Sequence, residues 1–230
     1  MTAIQLEALT FQYNKRKKIL DNVNLSIGKG EAVGIIGESG VGKTTLLRLM
    51  NGSYFHEYER QIKGSIFIDG QRMAKEEDFF QKIGTIYQNP DNQIIFSNVT
   101  DELAFGMENM CISPEIMRSK IDEVLKMLAI EHLRDRNPNT LSGGEKQLVT
   151  VAAILCLDIG ILILDECMAQ VDAKGKVLIT EAIRRMKTHH KTVVMVEHDY
   201  ENLRPCDRIY KMEAGKLQMV AKEDLKLCPI

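Results

Sequence analysis

Along the first 35 residues apolar and polar side chains alternate. Phe11 and Tyr13 are spaced by polar neighbours, and Val23-Asn24-Leu25-Ser26-Ile27 repeats cleanly up to a turn at Gly28-Lys29-Gly30. That is the pattern of half-buried antiparallel strands. From Glu31 to Ile36 the alternation gives way to a continuous apolar run, as expected of a strand covered on both faces. It leads straight into a glycine-rich stretch, after which Thr44 to Met50 takes a helical pattern. Gly64 to Gly70 alternates again and ends in a turn, and Ile83 to Tyr87 predicts a further apolar strand.

Beyond Asp101 the period changes. Ile116, Ile121, Val124, Leu125 and Leu128 fall at helical spacing, and Ser113-Pro114-Glu115 reads as a helix start. Residues from about 89 to 158 therefore predict a mostly helical insertion into an α/β core. A strand at Ile161 to Leu164, a helix from about Lys174 to Lys187, a strand at Thr192 to Val196 and a hairpin turning at Glu213-Ala214-Gly215 complete the chain. The nearly all-apolar run from Leu148 to Leu164 imitates a membrane span, but Asp158 and Gly160 interrupt it. A buried helix end, a turn and a buried strand account for every residue of it. The expectation is a soluble chain that reaches a membrane only through partners.

Composition adds limits. A chain of 230 residues with 44% hydrophobic and 27% charged side chains can bury a core of its own, and a net charge of -2 speaks against a protein that coats nucleic acid. Lys15-Arg16-Lys17-Lys18, ahead of Ile19-Leu20, suits the solvated tip of a hairpin better than a dedicated anion site. The five cysteines, Cys111, Cys156, Cys167, Cys206 and Cys228, include no Cys-x-x-Cys pair and suggest neither a disulfide framework nor a zinc site. Cys156 and Cys167, in apolar surroundings, read as small core residues. The N-terminus lacks a basic segment followed by an apolar stretch, so export is not expected and a cytoplasmic location is.

The chemistry begins at Gly37-Glu38-Ser39-Gly40-Val41-Gly42-Lys43-Thr44, followed by Thr45. Glycines let successive backbone N–H groups turn toward phosphate, Lys43 sets a positive charge beside the β and γ phosphates, and Thr44 offers a hydroxyl to Mg²⁺. The helix opening there adds the positive end of its dipole. Asp165 and Glu166 end the strand Ile161 to Leu164, which in a parallel sheet is expected to lie beside that loop. Asp165 then holds Mg²⁺ and Glu166 polarises the attacking water as general base. Solvated acids also end many apolar strands, so this pair takes its meaning from the phosphate loop. Leu141-Ser142-Gly143-Gly144-Glu145 again joins small residues and exposed amides to a helix, expected to start at Glu145. Ser142 or Gly144 could serve as an ordinary cap, but capping alone does not call for the double glycine.

Taken together, these three motifs resemble the ATP-binding cassette ATPases. The resemblance implies an α/β fold: a P-loop core with a mostly parallel RecA-like sheet, an N-terminal antiparallel β subdomain and an inserted α-helical subdomain. It implies one domain over 1–230, with 1–88 and 159–230 forming the nucleotide-binding core and 89–158 the helical signature subdomain. In that family Ser142, Gly143, Gly144 and Glu145 would reach across a head-to-tail dimer to ATP bound by the other subunit. Gln88 matches the glutamine that senses Mg²⁺ and water, and His198 the switch histidine at the γ-phosphate. Tyr13 matches the aromatic that stacks on adenine, and Asp172 the aspartate of the loop linking the two sites. Taken alone, His198 reads as a surface histidine and Tyr13 as hairpin packing.

Tyr87-Gln88-Asn89-Pro90-Asp91-Asn92-Gln93, Asp101 to Asn109 and Val196-Glu197-His198-Asp199 resemble the energy-coupling factor importers of prokaryotes. The branch implies a second cassette, identical or different, a transmembrane coupling protein and a small membrane protein that binds a vitamin or a metal ion. An exporter or lipid-extraction cassette and a soluble cassette of DNA repair or translation are the alternatives. The chain departs from the family at Leu148, where an arginine is usual, and at Cys167-Met168-Ala169-Gln170-Val171, where a serine-containing phrase is usual. Ending at Ile230, it leaves little room for the C-terminal extension used in pairing.

Overall fold

The structure is a computed structural model that describes residues 1–14, 17–58, 61–79 and 82–227. Lys15, Arg16 and Cys228 lie outside the described residues. In chain order the strands and helices are β1 (Thr2–Phe11), β2 (Leu20–Gly28), β3 (Ala32–Ile36), α1 (Lys43–Met50), α2 (Phe55–Tyr58), β4 (Ile62–Ile68), β5 (Gln71–Arg72) and β6 (Ile83–Ile86). Then follow α3 (Val99–Asn109), α4 (Pro114–Met127), α5 (Gly143–Leu155), β7 (Ile161–Asp165), α6 (Ala173–Thr188), β8 (Thr192–Val196), β9 (Arg208–Glu213) and β10 (Lys216–Val220).

They form two sheets. The alternating strands make an antiparallel sheet in the order β2-β1-β4-β5. The apolar strands β3, β6, β7 and β8 join the more polar β9 and β10 in a six-stranded sheet in the order β10-β9-β3-β8-β7-β6, parallel throughout except for the closing β9-β10 hairpin. Every residue of β3, β7 and β8 is buried, because each face of this sheet has its own core. Val33, Ile35, Ile161, Ile163, Val194 and Val196 face a core shared with α1 and the antiparallel sheet. Their neighbours Ala32, Ile36, Leu162, Leu164, Val193 and Met195 face a core shared with α3, α4, α5 and α6. The period of two is intact in these strands, with apolar matter waiting on both sides.

One boundary moves and one side chain leaves the core stripe. Helix α5 starts at Gly143 rather than Glu145, because Ser142 is its N-cap. Ile116 is 61% exposed, whereas Ile121, Val124, Leu125 and Leu128 are buried. It stands five residues before Ile121 and so falls off the stripe, which Met117 continues one turn earlier. Pro114 opens α4 as expected, although the Ser113 side chain makes no capping hydrogen bond. The run Leu148 to Leu164 divides into the end of α5, a turn and β7, and no helix among the described residues is long and apolar enough to cross a membrane. Cys156, Cys167 and Cys206 are buried, and burial pushes the thiols of Cys156 and Cys206 up to about 12.

Phe11 closes the core beneath the antiparallel sheet, fully buried and ringed by Tyr13, Tyr54 and Tyr58 at centroid distances of 4.9, 5.8 and 5.7 Å. Phe11→Ala should cost about 3–5 kcal/mol of folding stability. Urea denaturation measures this, and a loss below about 1 kcal/mol would mean that the tyrosines collapse into the space.

Candidate functional site

Because the strands of the large sheet run parallel, the chain leaves β3, β8, β7 and β6 at one common edge. From β3 it enters the glycine loop, from β7 it reaches Asp165 and Glu166, from β8 it reaches Glu197 and His198, and from β6 it reaches Tyr87 and Gln88. The β7 strand is not the neighbour of β3, since β8 lies between them. The carboxylates still arrive at the loop because the chain bends over the sheet edge after Asp165. Glu166 adopts φ 52°, a left-handed conformation that costs energy for a side chain with a Cβ, and its N–H is held by the Val196 carbonyl at 2.9 Å.

Glycine makes the loop possible. Gly40 and Gly42 have φ of 78° and 110°, and a Cβ on Gly42 would lie 2.7 Å from the Ile19 side chain. Gly42 then caps α1 without a side-chain acceptor, and no acidic residue occupies the first turn. The N-terminal amides of this helix are left for an external anion. Lys43 is 5% exposed, and its Nζ donates to the carbonyls of Gly37 at 2.7 Å and Glu38 at 3.0 Å. Glu166 Oε1 lies 3.9 Å from the same nitrogen and 2.6 Å from His198 Nε2. Lys43, Glu166 and His198 thus meet at one point.

Burial sets the electrostatics. It lowers the pKa of Lys43 against the opposing charges of Glu166 and Asp165. It raises that of Asp165, and the charge of Glu166 adds to the effect. Asp165 Oδ1 is buried and accepts no hydrogen bond, as suits an atom that completes its shell with a cation.

A second cluster forms around Ser142. Its hydroxyl accepts from the Glu145 N–H at 3.3 Å, while Glu145 Oε2 accepts from the Ser142 N–H and hydroxyl, each at 2.8 Å. This is a reciprocal cap, and the bonds from Ser142 hold the Glu145 carboxyl below its usual range. The double glycine has a separate reason. A Cβ on Gly143 would lie 3.0 Å from Gln170 Oε1, and one on Gly144 would lie 3.3 Å from the Gln170 carbonyl. Asp172 caps α6 by accepting from the Gly175 N–H at 2.7 Å. Among the described residues, no hydrogen bond or ion pair joins Ser142–Glu145 to the phosphate loop.

Gln88 is exposed, but the residue before it is gripped from both sides. Gln93 accepts from the Tyr87 N–H at 2.7 Å, and Gln147 donates to the Tyr87 carbonyl at 3.2 Å. Next to these, Lys146 pairs with Asp91 at 2.6 Å. Tyr13, 39% exposed, shares its hydroxyl with Thr45 and Tyr54, each at 2.9 Å. Its neighbour Tyr54 accepts from Arg48 at 2.9 Å. Ser39 and Val41 fill out the loop without a role of their own in these contacts.

Reading the sequence gave no role to Gln147, Tyr54 or the Glu197 side chain. Glu197 carried a usable signal, because it directly follows an unbroken apolar strand, as Asp165 and Glu166 do. Gln147 and Tyr54 work through contacts across the fold that spacing does not reveal.

A family model described as ABC transporter matches residues 20–169. The energy-coupling factor transporter ATP-binding protein EcfA1 of Lactococcus lactis subsp. cremoris is 41% identical over 219 residues, spanning 93% of this chain and 77% of that protein. Among solved structures, cbiO1 of Clostridium perfringens, part of the ABC transporter complex cbiONQ, superposes with a TM-score of 0.86 at 28% identity, covering 98% of this chain and 91% of that one. A bacterial Atm1-family ABC exporter with ATP bound gives a TM-score of 0.81 at 25% identity, covering 97% of this chain and 40% of the exporter.

Asp165→Asn should stabilise the nucleotide-free, cation-free protein at about pH 8, by about 1–3 kcal/mol. With its pKa raised by burial, Asp165 favours the folded state at low pH and loses that contribution as pH rises through the raised value. The advantage of the variant should therefore vanish on acidification. Urea denaturation across pH is the measurement, and a variant less stable than wild type at about pH 8 would show that the buried charge is already satisfied.

Proposed function

The chain belongs to the ATP-binding cassette transporter family, and from that premise we propose that it powers a membrane importer of the energy-coupling factor type by hydrolysing ATP. It binds ATP and is an ATPase. The observation that carries the reading is the meeting of Lys43, Glu166 and His198 beside the orphaned Oδ1 of Asp165. A γ-phosphate needs this set: a cation for its charge, a carboxylate for the attacking water and a site for a metal.

On this reading residues 1–88 and 159–230 form the nucleotide-binding core and 89–158 the helical part. Gly37 to Thr45 bind the phosphates, with Lys43 turning from the carbonyls of Gly37 and Glu38 toward the incoming anion. Tyr13 takes the adenine ring. Asp165, Thr44 and Gln88 would hold Mg²⁺, for which the unpaired Oδ1 of Asp165 is suited. When bound, Mg²⁺ neutralises charge building up on the phosphate oxygens. Glu166 accepts the proton of the attacking water, and His198 fixes the orientation of that carboxylate. Ser142, Gly143, Gly144 and Glu145, with Asp172 behind them, are offered to ATP held by a second cassette, identical or different. That explains why they stand apart from the chain's own phosphate loop.

Support for a membrane partner comes from the surface after Gln88. Ile95 is 71% exposed, and Phe105 is 37% exposed against Phe96 at a ring distance of 5.1 Å. The N–H groups of Ile95 and Phe96 both donate to Glu102 at 2.8 Å, which fastens this apolar patch to α3. Such a patch beside the glutamine that faces the nucleotide suits a transmembrane coupling protein, and with it a small solute-binding membrane protein. The chain then sits peripherally at the cytoplasmic face of the membrane.

Glu166→Gln should leave ATP affinity within about twofold while lowering the hydrolysis rate by about 10²–10⁴. A rate equal to wild type would remove Glu166 from the role of base. Purification of the tagged chain from gently solubilised membranes should bring down a coupling membrane protein and a small membrane protein. Recovery of no membrane protein, with ATP binding intact, would sink the importer reading.

A further inference from the structure

Between the turn that carries Glu166 and the turn that carries His198 lies a buried carboxylate with no assigned task. Glu197 is 2% exposed, and each of its oxygens has one partner. Oε1 accepts from the Met168 N–H at 3.3 Å, and Oε2 accepts from Asn202 Nδ2 at 3.1 Å. Met168 belongs to the turn after Glu166, where the Ala169 N–H returns to the Glu166 carbonyl at 3.3 Å. Asn202 belongs to the short 3-10 turn Tyr200–Leu203 after His198, and its own N–H bonds the Asp199 carbonyl at 3.1 Å. One side chain therefore ties both turns together behind the 2.6 Å contact of His198 Nε2 with Glu166 Oε1.

We propose that Glu197 is a positioning residue for ATP hydrolysis, whose ionised carboxylate latches the Glu166 turn to the His198 turn. The proposal rests on the ATPase reading above. The chemistry requires the ionised form, because both partners are donors. A carboxylate offers an acceptor to each, whereas a protonated carboxyl or an amide must turn a hydrogen toward one of them and lose that arm.

The latch has a cost that makes it visible. Burial pushes the Glu197 carboxyl up to about 7, with Glu166 adding to the rise and Lys176 opposing it. The thiols of Cys167 and Cys206 also feel its charge, and burial holds both neutral, while His198 follows it directly in the chain and turns Nε2 to Glu166. Asp199, which begins the 3-10 turn, faces Lys176 at 3.9 Å rather than Glu197. As pH falls through about 7 the carboxyl takes a proton, one arm opens, and the contact between His198 and Glu166 loses its support.

The test is the ATPase rate of the membrane complex purified with this chain, measured across pH for wild type and Glu197→Gln. The variant mimics the protonated latch. Its kcat should be roughly tenfold below wild type at about pH 8 and nearly equal to it at about pH 6, with KM for ATP within about twofold throughout. Adding Asn202→Asp to Glu197→Gln exchanges donor for acceptor across the pair and should restore most of the lost kcat. Should Glu197→Gln fail to fold, Asn202→Ala carries the same question: it removes one arm and should lower kcat at about pH 8 with KM unchanged. A wild-type-to-variant ratio that stays constant across pH, or a kcat that none of these changes moves, overturns the positioning role. Absence of hydrolysis in the wild-type complex overturns the ATPase reading itself, and the positioning role with it.

Discussion

The site is organised around one buried ammonium group that the protein itself must solvate. Lys43 is buried and has no carboxylate within ordinary hydrogen-bonding distance, so the carbonyls of Gly37 and Glu38 solvate it. Those carbonyls can point inward only because the loop bends through conformations open to glycine. The loop in turn ends on α1, whose uncapped amides face the same space. Around this cation stand Asp165 and Glu166, with Glu197 buried behind them. Carboxylates outnumber the lysine. A polyanion entering such a site meets balanced charge only if a further cation comes with it.

The fold was legible because its strands advertise their surroundings. The alternation from Val23 to Ile27 and the unbroken runs at Ala32–Ile36, Ile161–Asp165 and Thr192–Val196 separate the half-covered sheet from the doubly covered one. Adjacency within the large sheet was not legible. Hydrophobic pattern says that β3, β7 and β8 are central but not that β8 separates the other two, since order is decided by crossovers and helix packing. The glycine loop and the strand-ending acids could be placed because their sequence pattern is local. The grip of Gln93 and Gln147 on Tyr87 could not, because it joins residues up to 60 positions apart.

Two helices depart from their local pattern, each for its own physical reason. Ser142 caps α5, with Glu145 answering through both its N–H and its carboxylate. That moves the helix start forward to Gly143 and leaves Gly143 and Gly144 lying on Gln170. The glycines are needed for that close approach as much as for exposing their amides. Ile116 is exposed because phase, not hydrophobicity, decides which positions of α4 face inward.

The departures from the family pattern gather in one place. Leu148 sits on α5 one turn beyond Gly144 and shares a depression with Gln170, Val171 and Asp172 around the Ser142 phrase. Leu148 and Val171 are buried, and so are Cys167 and Met168. An arginine at Leu148 would bring a charge against buried apolar side chains. The half of the site that the chain keeps for itself retains Lys43, Asp165, Glu166 and His198, and it meets the altered positions through the Met168 N–H, which donates to Glu197. The altered half is the one that, on the reading proposed here, the chain lends to its partner. A pair of unlike cassettes accommodates that division, because the site completed by this chain's Ser142 phrase and the site built on its own phosphate loop need not then work alike.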